Sequence, residues 1–289
     1  MRKIWIASAA VVAAFSFTHM APAADMPLKA PPRPPACASN VITRANNQVY
    51  VDFATRHLDY RESDPAGVFP VLDSEKGWIP GVTGNASLMQ DWLGFCHLYL
   101  SAQITYLSGN THYFAAAGPV TSNTDPAQIW DEDFKLGKGF DVSSNAMLTP
   151  YVGGGSHLWG RTLAGPNGYH EDYRHAYVGG GVLFQVSPVQ RLVLGLDGFV
   201  GSTFDARMNT SLTPGGFPIP VQTFTLGNAA IWRIGGTADY AFTQNWHGNV
   251  GVEFMHFHYG QSPVGIGGFL EPTSNTDNVT VRVGLGYAW

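Results

Sequence analysis

Charge is what this sequence has least of. Aspartate, glutamate, lysine and arginine make up 13% of its 289 residues, against roughly 25% in an ordinary soluble domain. A soluble protein of this length would carry more surface charge, so part of the surface is expected to face something other than water. The net charge of −5 excludes the basic footprint of a nucleic-acid-binding protein. Beyond the N-terminus no stretch reaches the roughly 18 consecutive apolar residues of a membrane helix. If the chain crosses a membrane, it does so with strands. Cysteine is confined to Cys37 and Cys96. In an exported chain such a pair reads as one disulfide; the alternative is two free thiols.

The N-terminus reads as an export signal. Arg2 and Lys3 form a basic start, Ile4 to Phe17 an apolar run too short to span a bilayer as a helix, and Ala21-Pro22-Ala23 a small-residue cleavage site, so residues 1–24 are expected to be removed. Pro27, Pro31, Pro32, Pro34 and Pro35 then impose an extended, polyproline-like course. Residues 25–47 are accordingly expected to be a Pro-rich periplasmic tether, and 48–289 the folded body.

What the sequence does have is alternation. In the last twelve residues Val279, Val281, Val283, Leu285, Tyr287 and Trp289 fall on one face, and Asn278, Thr280, Arg282, Gly284, Gly286 and Ala288 on the other. A period of two is a strand. The length matches the roughly 9–11 residues of a tilted strand crossing a bilayer with its apolar face to lipid. The same pattern recurs from Gln48 onward, over Gln48–Tyr60, Trp78–Met89, Leu93–Ser108, Ile129–Val142, Leu148–Gly160, Asp172–Val186, Arg191–Asp205, a stretch from about Phe224 to Phe242, and Trp246–Tyr259. In the eighth stretch Phe224, Leu226, Ala230, Trp232, Ile234, Ala238, Tyr240 and Phe242 are expected to face outward. The connectors are long and short by turns. This predicts an all-β, transmembrane, antiparallel up-and-down barrel of about ten strands, or eight or twelve if a hairpin is merged or missed, with short turns on the periplasmic side and long loops outside. Cys37, just before the first strand, and Cys96, at the start of the third, lie near the same end, where a disulfide would tie the tether to the barrel base.

Two glycine triplets, Gly153-Gly154-Gly155 and Gly179-Gly180-Gly181, fall almost opposite one another across the fifth and sixth strands. They suggest a sharply curved wall, or a surface on which Tyr151, Tyr177 or Trp159 can lie. Neither precedes a helical pattern or Gly-Lys-Ser/Thr, so they do not form a phosphate loop.

Signal, Pro-rich lead-in, alternating segments and the terminal Tyr287-x-Trp289 together resemble the small outer-membrane β-barrels of Gram-negative bacteria, of the opacity and OmpA-transmembrane type in broad terms, over the whole mature chain. Ten strands depart from the eight usual in that group. The resemblance implies that Tyr287 and Trp289 form the C-terminal signal for the barrel-assembly machinery, and that the partners are outer-membrane lipid and lipopolysaccharide.

Asp52, Arg56, Asp133, Lys135, Asp197, Arg233, Asp239, Glu253 and Arg282 fall on inward positions. A barrel of about eight strands is filled by side chains, whereas open channels come with 16–18. In so narrow a lumen charges of both signs are expected to pair, because an unpaired buried charge is costly. The expectation is a closed or very narrow barrel.

Ten-stranded barrels include the omptin proteases, which use paired Asp and Asp-His elements at the extracellular rim. Asp131-x-Asp133, His170-Glu171-Asp172 and His256-Phe257-His258 are the candidates for such chemistry or for a rim metal. The omptin Asp-x-His order is absent, His170-x-Asp172 reverses it, and no Ser-His-Asp set has a recognisable spacing. The leading expectation is a non-enzymatic outer-membrane barrel serving envelope integrity and surface interaction through its loops, with no cofactor or metal. A small-solute channel or selective porin is the alternative, and an omptin-like surface hydrolase comes third. No ligand is named by the sequence.

Overall fold

In the computed structural model the described residues are 37, 40–92, 94–116, 125–163, 169–211 and 221–289; the expected export signal and most of the expected tether lie outside them. Twelve strands follow a short helix, α1 (Val41–Ala45): β1 (Gln48–Glu62), β2 (Asp73–Trp92), β3 (Phe95–Ala115), β4 (Asp125–Lys138), β5 (Phe140–Ser143), β6 (Ala146–Thr162), β7 (His170–Val189), β8 (Leu192–Ser211), β9 (Gln222–Thr225), β10 (Ala230–Ala241), β11 (Trp246–Tyr259) and β12 (Ser274–Ala288). β4 and β5 both lie along β6 as one wall strand, and β9 and β10 both lie along β8 as another. Ten antiparallel staves result. β12 pairs with β1 from Gln48↔Ala288 to Glu62↔Ser274, which closes the barrel and leaves no sheet edge.

The outward face is apolar across a band. Val51, Phe53, Ile104, Phe134, Leu136, Val152, Val200, Ile234 and Val283 are all exposed by more than two fifths. A contiguous apolar belt of this size does not occur on a soluble monomer, whose largest patches are a few hundred Å². Aromatic side chains mark its limits. Trp78, Tyr106, Trp130 and Trp232 stand along one margin, and Phe95, Tyr240, Phe242, Trp246, Tyr287 and Trp289 along the other. Trp232 and Phe242 stand about ten residues apart, the span of a tilted strand across a bilayer. Beyond the upper margin β1, β2, β3, β6, β7 and β8 continue past the lipid, and their faces no longer differ in polarity.

The strand ends that the short connectors join, Trp92 and Phe95, Ser143 and Ala146, Val189 and Leu192, and Ala241 and Trp246, gather at one end, and the strand ends that the long connectors join gather at the other. This is the sorting that alternation and connector length predict. Trp246–Tyr259 is the ninth stave, as its pattern indicates, whereas most others run farther at their loop ends than the sequence suggests.

The outward assignment of Phe224 and Leu226 is corrected, since they are buried at 4% and 1% exposure. Between β9 and β10 the chain leaves regular pairing, Gly227 takes a φ of +75°, and Gly227 and Asn228 both face out. One extra residue flips the parity of everything before it. Opposite, Asp205 at φ +54° bulges β8 in the same way.

The glycine triplets meet at one pair, Gly153↔Gly179. A Cβ on Gly181 would strike the Tyr151 ring, and one on Gly155 would approach the Tyr177 hydroxyl to 2.6 Å. These glycines are the floor on which two lumen tyrosines lie.

Candidate functional site

The lumen is filled in layers. At the short-turn mouth α1 is inserted as a plug. Asn40 caps it, its side chain accepting from the Thr43 N–H at 2.9 Å while its own N–H donates to Thr43 Oγ1. Ile42 and Ala45 are buried. Asn46 exchanges two amide hydrogen bonds with Gln185 of β7, at 2.7 and 3.1 Å, and Asn47 donates to the Met89 carbonyl and accepts from the Met89 N–H. Residues 41–47, which read as tether, are therefore part of the packed interior. Their pattern is too short for helical periodicity to be legible in the sequence. Cys37 and Cys96 are joined in a disulfide that fixes the entry to α1 against β3. At the same rim Tyr287 packs edge-on to Trp246, and the Trp289 N–H donates to the Asn47 carbonyl.

Above the plug lies a cavity of about 130 Å³, lined among others by Asp52, Glu253 and Arg282. Over it stand two ion pairs whose four members were all expected inward. Arg233 pairs with Asp133, which also accepts from the Tyr177 hydroxyl at 2.8 Å, and the guanidinium lies over Phe199 at 4.6 Å. Lys135 pairs with Asp197 at 3.1 Å, beside the Tyr151 hydroxyl. Arg56 pairs not with another of the nine but with Asp131, at 2.7 Å, and the same carboxylate meets His157 Nδ1. Asp239 meets His247. Charges of both signs do share the lumen, and Asp52, Glu253 and Arg282 are the ones left around the cavity.

The uppermost layer went unread in the sequence. Arg161 is 1% exposed and pairs with Glu171 at 2.5 Å, Glu75 at 3.1 Å and Glu62 at 3.4 Å. Its guanidinium lies over the rings of Tyr60, Tyr113, Trp159 and Tyr173, at 5.1 to 5.8 Å. A fourth acid, Glu271 from the last long connector, accepts from the Tyr173 hydroxyl at 2.7 Å. This layer stands beyond the upper aromatic margin, outside the membrane-spanning part. Burial, with the neighbouring acids, holds Glu62 well above the usual carboxylate range, and burial followed by the Glu171 charge pushes Glu271 up to about 8. One guanidinium faces four buried carboxyls, and burial favours the protonated form of Glu62, Glu171 and Glu271. The missed signal is continued alternation: Tyr60 and Glu62 on β1, Trp159 and Arg161 on β6, and Glu171 and Tyr173 on β7 occupy successive inward positions.

The three candidate sets for rim chemistry are not brought into one site. Asp131 and Asp133 are held by guanidinium groups inside the lumen. His170 pairs with Asp172 at 3.0 Å on the outer surface, and His256 pairs with Asp277 at 2.8 Å, also facing out and against Trp232.

A closed barrel with a lipid-facing belt between aromatic girdles, and connectors sorted by length, defines a Gram-negative outer-membrane β-barrel protein. The sequence matches no protein-family profile and no curated protein. In fold the chain is similar to the outer membrane protease OmpT of Escherichia coli, with 10% identity and a TM-score of 0.56 over 84% of this chain and 95% of that one. It is also similar to the toluene transporter TodX of Pseudomonas putida, with 10% identity and a TM-score of 0.36 over 86% and 90% of the two chains, and to Neisserial surface protein A, with 13% identity and a TM-score of 0.32 over 83% and 97%. At 10% identity the likeness to OmpT is one of fold alone.

Proposed function

We propose that this protein is a non-enzymatic outer-membrane barrel that supports envelope integrity and presents its extracellular loops for surface interaction. The observation that carries the reading is the filling of the lumen by the α1 plug, the Asp133–Arg233 and Lys135–Asp197 pairs, and the Arg161 layer. A small-solute channel would need a continuous aqueous path, and each of these layers stands across it. A surface hydrolase would need a carboxylate and a histidine free to reach a substrate at the rim. Asp131 and Asp133 are instead committed to internal pairs, and the exposed His170–Asp172 and His256–Asp277 pairs each hold one histidine and one carboxylate, without the second carboxylate of a paired-Asp set. The wall supplies the integrity function, and the loops supply the interaction.

Complementation of a strain lacking the gene tests this. Wild type, and a barrel whose long connectors are replaced by short turns, are both expected to restore detergent resistance, whereas only wild type restores adherence to surfaces or other cells. Failure of the wild-type gene to affect either property would overturn the proposal. Cleavage of a peptide library by the purified barrel would replace it with the hydrolase reading.

A further inference from the structure

Two of the long connectors, residues 63–72 between β1 and β2 and 260–273 before β12, carry pinned apolar tips. Their bases are neighbours, since the Ser63 N–H donates to the Thr273 carbonyl at 2.8 Å. Glu62, which precedes the first connector, and Glu271, within the second, belong to the acidic layer around Arg161 beyond the upper aromatic margin. The tips therefore stand clear of the membrane's own hydrocarbon.

Each tip is held by its own polar groups. In the first, the Asp64 carboxylate accepts from the Ala66, Val68 and Phe69 N–H groups at 2.8 to 3.0 Å, and Gly67 takes a φ of +69°. In the second, the Gln222 side-chain amide accepts from the Ile266 N–H at 2.9 Å and donates to the Ile266 carbonyl, while the Gly265 N–H donates to the Phe269 carbonyl at 2.6 Å. Pro65 and Pro70 bracket one tip and Pro263 and Pro272 the other, which reduces the freedom lost when a loop is fixed. What these turns hold out is apolar. Val68, Val264 and Ile266 are each more than three fifths exposed, and Phe69 and Phe269 more than a third. Single exposed apolar side chains are ordinary, but a cluster of them on preorganised turns marks a contact surface.

The chemistry of the tips selects the partner. Asp64 is the one ionisable residue of 63–72, and its carboxylate is occupied by three backbone N–H groups; Glu271 is the one ionisable residue of 260–273, and it is buried against Tyr173. A charged polysaccharide or nucleic acid finds no counter-charge there. Size then decides among apolar partners. Five side chains present a few hundred Å², whereas a stable protein interface takes roughly 800 Å² from each partner. One barrel offers too little for a single soluble protein. A continuous apolar surface, however, meets many barrels of one outer membrane at once, and linked weak contacts gain about 10²–10⁴ in avidity.

We propose that the two tips are an adhesive surface whose partner is an extended apolar surface, hydrocarbon in chemistry, engaged through Val68, Phe69, Val264, Ile266 and Phe269. This rests on the loop-interaction reading above and specifies what the loops take.

The test is retention under flow of whole cells on a methyl-terminated and on a hydroxyl-terminated monolayer. The strain lacking the gene carries wild type, Val68→Ser/Phe69→Ser, Ile266→Ser/Phe269→Ser, all four serine substitutions together, or the apolar replacement Ile266→Leu/Phe269→Leu. Heat-modifiable mobility and surface labelling confirm equal amounts of folded barrel. Wild type is expected to raise retention on the methyl surface alone. Each serine pair should reduce that gain several-fold and the four together by about tenfold or more, because linked contacts multiply, whereas the leucine variant retains it. Should the fourfold variant not reach the surface, the two serine pairs supply the same comparison. Equal gains on both monolayers, a gain that survives the serine substitutions, or adherence of wild type to other cells but to neither monolayer would each overturn this inference and leave the loop-interaction reading standing. No adherence of wild type to either monolayer or to other cells would overturn both.

Discussion

Replacing Arg161 with Met tests the upper layer most severely. The side chains are similar in length, so aromatic packing is largely kept while the one cation among Glu62, Glu75, Glu171 and Glu271 is removed. Breaking a buried ion pair by deleting one partner costs roughly 3–5 kcal/mol, and here three ion pairs share the deleted partner. The remaining carboxyls can relieve the excess charge only by taking up protons. Glu62, Glu171 and Glu271 already have raised folded-state pKa values, and the substitution raises them further. A folded-state carboxyl pKa above its unfolded value means that stability is greatest below the unfolded pKa and falls as pH rises towards the folded one. Each additional proton held between pH 5 and 8 therefore steepens the decline by about 1.4 kcal/mol per pH unit, or about 4 kcal/mol over the interval. Urea unfolding in lipid vesicles, followed by tryptophan fluorescence at both pH values, measures this. The expectation is a modest loss at pH 5 and a much larger one at pH 8. Parallel pH profiles for wild type and Arg161→Met would refute the reasoning, as would a loss under about 1 kcal/mol at pH 8, the range of an exposed pair.

Two other outcomes follow from the same structure. Glu271, raised to about 8, anchors the 260–273 connector through Tyr173 and Tyr60, so amide exchange across Ser262 to Glu271 should accelerate as pH rises from 6 to 9; Glu271→Gln should abolish the acceleration beyond the intrinsic pH effect, and an unaltered profile in that variant would exclude the anchor. Reduction of Cys37–Cys96, which closes 59 residues of chain, should lower unfolding free energy by about 4 kcal/mol on the chain-entropy estimate; identical urea midpoints for the oxidised protein and Cys37→Ser/Cys96→Ser would show that the bond does not constrain the unfolded chain.

What could be read in the sequence was what lipid imposes. Where one face meets hydrocarbon and the other the lumen, alternation is strong, and Trp246–Tyr259 and the inward course of Asp52, Asp133, Arg233 and Arg282 follow from it. Where the staves rise beyond the bilayer both faces are polar or aromatic and the contrast vanishes. Glu62, Glu75, Arg161, Glu171 and Glu271 consequently fell in connectors or at strand ends, though they form the most heavily paired layer. The inward turn of Phe224 and Leu226 depended on a bulge at Gly227 that a strict period of two does not admit. The α1 plug is five residues long, below the length at which helical periodicity is visible. Register across the barrel, which joins Arg56 to Asp131 and Arg161 to Glu62, Glu75 and Glu171, is a long-range property that no local pattern encodes.

The central claim is that the lumen is sealed, and planar-bilayer conductance of the refolded mature protein, verified as folded by heat-modifiable mobility, tests it most directly. The account predicts no stepwise current for wild type. Clean, reproducible single-channel steps from verified wild-type barrels would contradict it, because no ion could pass the α1 plug, the Asp133–Arg233 pair and the Arg161 layer in the arrangement described.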